Sequence, residues 1–364
     1  MKFGIMTFSR ANNYGAVLQA YALHKKLQDK GHEGRLINYR CQAIDAMHAF
    51  KKIKKDQTFQ QNWDNFLWNI IFYPRMRAFD RFREDIHTAD YWPDTITQAS
   101  DEFDCFISGS DQVFNLALTG GDSAYYLDFA SDKNIRAAYA VSMGDYLEEY
   151  AEIYEKNIPA FDLLSFREQT GSDIIKDRLG ISSEVVPDPT LLYTGEEWIK
   201  LLNIEKKQPK KPYLCVYALT ESPELFAAAE KIADELGLEI HIITRRVKCT
   251  GKGDKYLRII GPEEFVSELY NADYVVTPSF HGTVFSILLG KPFTVTTPPR
   301  LPERMTDLLN ELGIGSRYSG NSKDYDLSPI DYNGTVYPRL KKLRQRGEAY
   351  LDKIIAATAE KIGK

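Results

Sequence analysis

The sequence predicts an α/β protein built from two doubly wound units and a C-terminal helix. Short apolar runs rich in β-branched residues alternate with amphipathic helical patterns along most of the 364 residues, which means βαβ units and parallel sheet. The alternation breaks at Asn203 to Pro212 (NIEKKQPKKP), a polar, basic stretch that reads as an interdomain linker, and then restarts. A chain of this length also exceeds a comfortable single core.

Each element follows from its own pattern. Phe3 to Phe8 reads as a strand and Val17 to Lys30 as a helix; Leu36 to Tyr39 and Phe103 to Ser108 are further strands. Ala137 to Val141 and Leu163 to Phe166 continue the strands, with helical patterns from Tyr146 to Phe161 and Glu168 to Leu179. After the linker come strands at Tyr213 to Ala218, Glu239 to Thr244, Tyr274 to Thr277 and Phe293 to Thr296. Helices at Pro223 to Leu236, Pro262 to Tyr270 and Gly282 to Leu289 separate them, and Tyr337 to Ile362 is a long basic helix that returns to brace the first domain. The expected organisation is a domain over 1–202, a linker over 203–212, a second domain over 213–325 and a helical segment over 326–364. Two such units bind their ligand at the carboxyl ends of the strands, facing each other across a cleft.

Composition bounds the function. Hydrophobic residues at 43% and charged residues at 27% fit a soluble globular protein, and 46 basic against 51 acidic residues give −5, which does not suit nucleic acid as a partner. The four cysteines show neither CxxC nor Cys/His metal spacing, so neither a metal site nor a disulfide framework is expected, and the compartment is a reducing one. The N-terminus MKFGIMTFSRANN lacks the apolar core of a secretory signal and no run approaches a membrane span, so the expected location is cytoplasmic. The stretch from Lys51 to Glu84 mixes aromatics with bases. It reads first as an amphipathic helix pair packed on its own domain, and second as a contact with a membrane surface or bulky acceptor. The basic run Arg339 to Arg346 is open to the same two readings.

Sequences for dinucleotide (GxGxxG), P-loop, HExxH and GxSxG sites are absent. Asp324-Tyr-Asp326 matches a DxD metal pattern, but its polar surroundings favour a solvated turn. Four strand-to-helix junctions remain. At the first, Asn12, Asn13 and Gly15 offer amides and carboxamides to a polar or anionic ligand, or simply cap the helix. At the second, a buried strand delivers Ser108, Ser110, Asp111 and Gln112 to its carboxyl end, with Asp111 alternatively a cap. At the third, Arg167 ends a strand where a guanidinium can fork onto a carboxylate or phosphate; its plainer use is an ion pair with Glu168 or with Asp188 of VVPDPTLL. At the fourth, YVVTPSFHGTVFSILLG, the residues Ser279, His281 and Thr283 crowd a helix N-terminus that would welcome a phosphate. His24 and His32 lie on or just after an exposed helix, His48 and His87 in polar stretches, and His241 in a strand. His281 is the histidine at a switch-type position, where it is a cap, a core hydrogen bonder or an acid/base group.

Taken together, NNYGAVLQAYAL, GSDQVFN, SFREQTG with VVPDPTLL, and NADYVVTPSFHGTVFSILLGKPF resemble the polysaccharide pyruvyl transferase family, over roughly residues 1 to 320 and in the family's order. The resemblance implies a fold like the two-domain GT-B glycosyltransferases, phosphoenolpyruvate as co-substrate with no other cofactor and no metal, and transfer of pyruvate onto a sugar as a ketal. It implies a catalytic role for His281, with Arg167 reaching the donor's negative charge from the first domain. Donor contacts would be Ser279, Phe280, Gly282 and Thr283. Acceptor contacts would be Asn13, Tyr14, Gly15, Ser110, Asp111 and Gln112, for a sugar, polysaccharide or lipid-linked oligosaccharide, the last consistent with a place at the inner face of a membrane. Some relatives are more basic at the position of Ser279, so Arg245, Arg300 or Arg304 is expected to supply charge instead. The rival readings are a GT-B glycosyltransferase using a nucleotide sugar, and a non-catalytic carbohydrate-binding relative.

Overall fold

The computed structural model describes every residue except 49, 85, 145, 298–302, 321–323 and 364, and the side chains of 48, 303 and 304 are also outside the description. Along the chain run β1 (Lys2–Met6), α1 (Tyr14–Asp29), β2 (Glu33–Tyr39), α2 (Gln42–His48), α3 (Phe59–Arg83), β3 (His87–Tyr91), β4 (Cys105–Ser108), α4 (Leu116–Thr119), β5 (Ile135–Ala138), α5 (Ala151–Asn157), β6 (Ser165–Phe166), α6 (Gln169–Leu179) and β7 (Glu184–Val185). There follow α7 (Gly195–Leu201), β8 (Tyr213–Ala218), α8 (Pro223–Leu236), β9 (Glu239–Thr244), β10 (Lys255–Leu257), α9 (Pro262–Asn271), β11 (Tyr274–Thr277), α10 (Phe280–Leu288), β12 (Phe293–Thr296), α11 (Glu303–Leu312), β13 (Tyr318–Gly320) and α12 (Tyr337–Ile362).

Two large parallel sheets result, and β6 and β7 form a further parallel pair. The first has the order β3-β2-β1-β4-β5 and the second the order β10-β9-β8-β11-β12-β13. Strand order therefore reverses between β1 and β4, and again between β8 and β11, which are the places where a doubly wound sheet opens a ligand crevice. The central strands are buried on both faces, as in Cys105–Ser108 and Tyr274–Thr277, so they read as continuous apolar runs.

Packing divides the chain into two compact units: residues 1–49, 83–193 and 341–364, and residues 50–82 and 194–340. The division departs from the expected one at three places, each with a local cause. Residues 194–202 join the second unit because the buried Trp198 packs edge-on against Phe285, with ring centres 5.2 Å apart, and a Cβ on Gly195 would collide with the carbonyl of Leu288. Residues 50–82 join it as well, where Arg81 acts electrostatically on the half-buried Glu263 of α9. From residue 341 onward α12 belongs to the first unit, held by Lys26–Glu348 (3.3 Å) and Lys30–Asp352 (2.6 Å) ion pairs and by Tyr350 donating to the Ala138 carbonyl (3.1 Å). In the basic run, Arg344 donates to the carbonyls of Leu191 and Tyr193, and Arg339 to that of Glu311. Those bases hold the fold together.

His24, expected on an exposed face, is 3% exposed, and its Nδ1 donates to the Gly34 carbonyl at 2.7 Å. Burial lowers its pKa to about 4, outweighing that hydrogen bond. His87 is lowered to about 3, again mainly by burial and then by Arg83 and Arg10. In the unfolded chain both take up a proton below about pH 6.5, whereas in the folded protein they stay neutral. The stability this confers is complete above pH 6.5 and is lost as pH falls from there towards 4, on the order of 3 kcal/mol for His24 alone. Thermal unfolding at pH 7.5 and pH 5 is expected to show the first unit weakening at the lower pH, and His24→Gln to flatten that dependence. An equal slope in the variant would remove His24 as the cause.

Candidate functional site

In the first unit the loops leaving β1, β4, β6 and β7 meet in one buried polar network. Thr7 Oγ1 accepts from Gln19 Nε2 (2.9 Å) and donates to the Ser110 carbonyl (2.8 Å). Ser110 Oγ donates to Asp188 Oδ2 (3.0 Å), and Arg167 Nη1 donates to the same oxygen (2.8 Å) while lying 3.4 Å from Ser110 Oγ. The other oxygen of Asp188 accepts from the Thr190 amide (3.0 Å) and hydroxyl (2.7 Å). The Arg167 side chain is 2% exposed and that of Asp188 0%, with Glu168 a further 3.7 Å from the guanidinium. Burial alone would disfavour the charge on Arg167, but Asp188, Glu168 and Asp111 outweigh it and raise the pKa. The plainer of the two uses expected of Arg167, an ion pair with Asp188 or Glu168, is present, with the buried Asp188 carboxylate engaging the guanidinium.

Around this network stand groups with open surface. Asn13 caps α1, its Oδ1 accepting from the amides of Gly15 (2.9 Å) and Ala16 (3.4 Å), with its side chain half-buried, while Tyr14 and Gly15 are buried. Asp111 has φ 83°, a left-handed conformation that costs a non-glycine residue about 1–3 kcal/mol and marks functional loops. It is fixed there by the Ser142 amide donating to its carbonyl (3.0 Å) and by its own Oδ1 accepting from the Gln112 amide (2.8 Å). Gln112 in turn accepts from Asn115 (3.1 Å). Of the expected acceptor contacts, Asn13, Asp111 and Gln112 keep partial exposure, whereas the Ser110 hydroxyl is turned inward.

In the second unit α10 starts at Phe280, two residues earlier than its apolar pattern suggests, because Ser279 is the N-cap: its Oγ accepts from the Gly282 amide at 3.4 Å. Thr277 ties β11 to β8 by donating to the Tyr217 carbonyl (3.1 Å), and accepts from the Ser279 amide (3.1 Å). Glycine is required at 282, since a Cβ there would lie 2.6 Å from Thr277 Oγ1 and 3.0 Å from Tyr217. Thr283 is fully buried and donates back to the Ser279 carbonyl (3.0 Å), so its hydroxyl serves the helix. His281 sits in the first turn, 8% exposed, its ring edge-on to Phe280 at 5.2 Å. Of the three arginines expected to replace charge at Ser279, Arg245 follows β9 on the same end of the sheet and is half-buried. Arg300 lies outside the described residues, as does the side chain of Arg304.

Asp326 of the DxD sequence closes a turn: it accepts from Ser316 Oγ (2.6 Å) and the Ser328 amide (3.0 Å), and hydrogen bonds from Ser316 and Ser328 hold its carboxyl down to about 2. Among the described residues no group of three or more His, Cys, Asp or Glu is placed to hold a metal ion. The residues that sequence reasoning passed over are Thr7, Gln19 and Thr190; Asp188 was read as a counter-charge to Arg167, which it is, but not as the acceptor that also gathers Ser110 and Thr190. A signal was present. Asp188 stands between two prolines in an apolar run, and a carboxylate in such a run needs a buried partner.

Two parallel doubly wound sheets, each gathering polar side chains at the carboxyl ends of its strands, define the two-unit α/β class that handles polar or anionic ligands at strand ends. The solved structure of UDP-GlcNAc 2-epimerase from Neisseria meningitidis bound to UDP-GlcNAc has this fold, with TM-score 0.50 and 11% identity over 99% of this chain and 100% of that one. S. aureus MnaA with UDP (TM-score 0.49, 11% identity, 94% and 87% covered) and the glycosyltransferase SnogD from Streptomyces nogalater (TM-score 0.40, 13% identity, 99% of each chain covered) are also similar. No curated protein sequence matches this chain. The profile of the polysaccharide pyruvyl transferase family matches residues 13–298, and the chain belongs to that family. It is therefore a transferase, with a polysaccharide or sugar as acceptor. Among the described residues no helix is long and apolar enough to cross a membrane.

Proposed function

We propose that the protein moves the pyruvyl group of phosphoenolpyruvate onto two hydroxyls of a sugar, in a polysaccharide or its lipid-linked precursor, forming a cyclic ketal and releasing phosphate. The observation that supports this most directly is His281 in the first turn of α10, beside amides that suit a phosphate. In the proposed course His281 delivers a proton to C3 of the enol, and C2 becomes an oxygen-stabilised cation. One sugar hydroxyl adds to C2 and gives up its proton, which returns the imidazole to its starting state. The second hydroxyl displaces phosphate, which leaves with the remaining proton. No redox step occurs, and no further cofactor is required. Ser279, Phe280 and Gly282 form the donor's surroundings, and Arg245 is assigned the charge that Ser279 lacks. Asn13, Asp111 and Gln112 are assigned to sugar hydroxyls, and Arg167 to holding the Ser110 and Asp188 loops. The reaction is placed in the cytoplasm, in keeping with four free thiols.

The test pairs two measurements on the full chain. Thermal stabilisation is expected with phosphoenolpyruvate and not with UDP-sugars, and phosphate release from phosphoenolpyruvate is expected only when a glycan with a suitable diol is present. Stabilisation by nucleotide sugars alone would point to a glycosyltransferase. Glycan binding without phosphate release across a broad panel would point to a binding protein.

A further inference from the structure

Helix α3 has two apolar faces, where a helix packed on one side of a globular unit needs only one. Its inner face is set by Phe72 and Phe79, 2% and 0% exposed. On the opposite side Phe59, Trp63, Phe66, Ile70 and Tyr73 recur at intervals of four, three, four and three residues, which places them in a single stripe. All five are exposed, from 41% at Phe66 to 82% at Phe59. Phe59 and Trp63 are stacked, and Phe66 lies tilted against Trp63 with ring centres 5.6 Å apart, so the first three rings adjoin along the stripe. With Phe50 and Ile53 these residues account for seven of the fifteen large exposed hydrophobics among the described residues, so the patch is concentrated here rather than scattered.

A basic strap borders the stripe. Thr58 and Gln61 form a reciprocal capping box that starts α3, the Gln61 amide donating to Thr58 Oγ1 (3.2 Å) and the Thr58 amide to Gln61 Oε1 (2.9 Å). From that cap the preceding residues run back along the helix, bound by three asparagines spaced to share one face. Asn62 accepts from the Lys54 amide (3.0 Å) and donates to its carbonyl (2.8 Å), Asn69 does the same for Lys51 (2.9 Å each), and Asn65 donates to the Lys52 carbonyl (3.2 Å). The strap is thereby fixed in place with Lys51, Lys52, Lys54 and Lys55 all exposed, and Phe50 stacked on Tyr73. Among the described residues Lys52, Lys54 and Lys55 have no carboxylate within ion-pair distance. Between residues 50 and 83 there are eight Lys and Arg against three Asp, in a chain whose net charge is −5.

We infer that this surface docks the protein on an anionic lipid bilayer. The aromatic stripe enters the interface, where such rings are most stable, and the lysines of the strap meet lipid headgroups. A second copy of the chain would suit the apolar stripe but would bring two lysine straps together, whereas an anionic bilayer satisfies stripe and strap at once. A peripheral site of this kind would hold a sugar-modifying enzyme close to lipid-linked acceptors.

The experiment is co-sedimentation of the full chain with vesicles of phosphatidylcholine alone and of phosphatidylcholine mixed with phosphatidylglycerol. Binding is expected to the mixed vesicles only and to weaken with added salt. Changing all four strap lysines to Gln is expected to lower the partition by roughly fivefold for each lysine removed. Trp63→Ser with Phe66→Ser is expected to abolish binding while leaving the melting temperature and phosphate release onto a soluble acceptor unchanged. Equal binding to both vesicle types, or undiminished binding by the lysine variant, would overturn the inference. So would a wild-type dimer, seen by light scattering, that the aromatic variant converts to monomer in the absence of any vesicle binding.

Discussion

Replacing His281 by Ala is expected to lower acceptor-dependent phosphate release from phosphoenolpyruvate by roughly 10²–10⁴-fold, the range in which a positioned acid/base group contributes. The imidazole ends a strand-to-helix junction at which Ser279 already caps the helix, Thr283 already closes its first turn and Gly282 keeps the backbone tight against Thr277. With those structural duties taken by its neighbours, His281 is the member of the junction whose side chain has proton chemistry to offer. His281→Gln separates the two roles, since it fills similar space and forms hydrogen bonds but does not titrate. The His281→Gln protein should melt closer to the wild type than the His281→Ala protein, which vacates a buried position, and both should be slow. A His281→Gln protein with near wild-type turnover would show that the position needs a hydrogen bond and no proton transfer.

The central strands and helices were legible because each is dictated by its own burial. Tyr213–Ala218, Glu239–Thr244, Tyr274–Thr277 and Phe293–Thr296 sit inside a parallel sheet, so their apolar runs coincide with the strands themselves. The edge strands β3, β10 and β13 were not legible. His87–Tyr91 and Tyr318–Gly320 are short and half-exposed, and they become strands only because β2 and β12 supply hydrogen bonds. The unit boundaries were misplaced for a related reason: Trp198 and the helix α3 choose their unit through tertiary packing, of which a local pattern holds no trace.

The candidate site divides along the same line. The four junctions were found because a polar cluster interrupting apolar runs is visible in one dimension; Ser279 and His281 do lie at a helix N-terminus, but α10 begins at Phe280 instead of Gly282, which makes Ser279 the N-cap and puts His281 in the first turn. Inside the first unit the ion pair of Arg167 with Asp188 was foreseen, but the links of Thr7 and Ser110 to it were not, because these residues come from separate segments and meet only through the sheet. The asparagine-bound strap on α3 was equally hidden. Asn62, Asn65 and Asn69 look like ordinary polar positions until the backbone of residues 51–54 lies beside them.

Asp188→Ala is expected to cost about 3–5 kcal/mol of stability, read as a lowered denaturation midpoint, because it leaves the buried Arg167 guanidinium without the carboxylate 2.8 Å away. Arg167→Ala should be similarly destabilising, since it strands the Asp188 carboxylate in the same dry environment. Loss of activity in Arg167→Ala therefore cannot by itself mark Arg167 as a donor ligand. The double variant Arg167→Met with Asp188→Leu removes both charges together, and replacing a buried pair by apolar residues of similar volume is often neutral. Its stability should exceed that of either single variant while staying below the wild type, because the buried Ser110 hydroxyl and the Thr190 amide and hydroxyl lose their acceptor. If Arg167 acts by holding the Ser110 and Asp188 loops, the double variant should keep its KM for phosphoenolpyruvate, with any loss confined to kcat and to acceptor binding. A sharply raised KM for phosphoenolpyruvate in the folded double variant would instead give Arg167 the direct part in binding the donor.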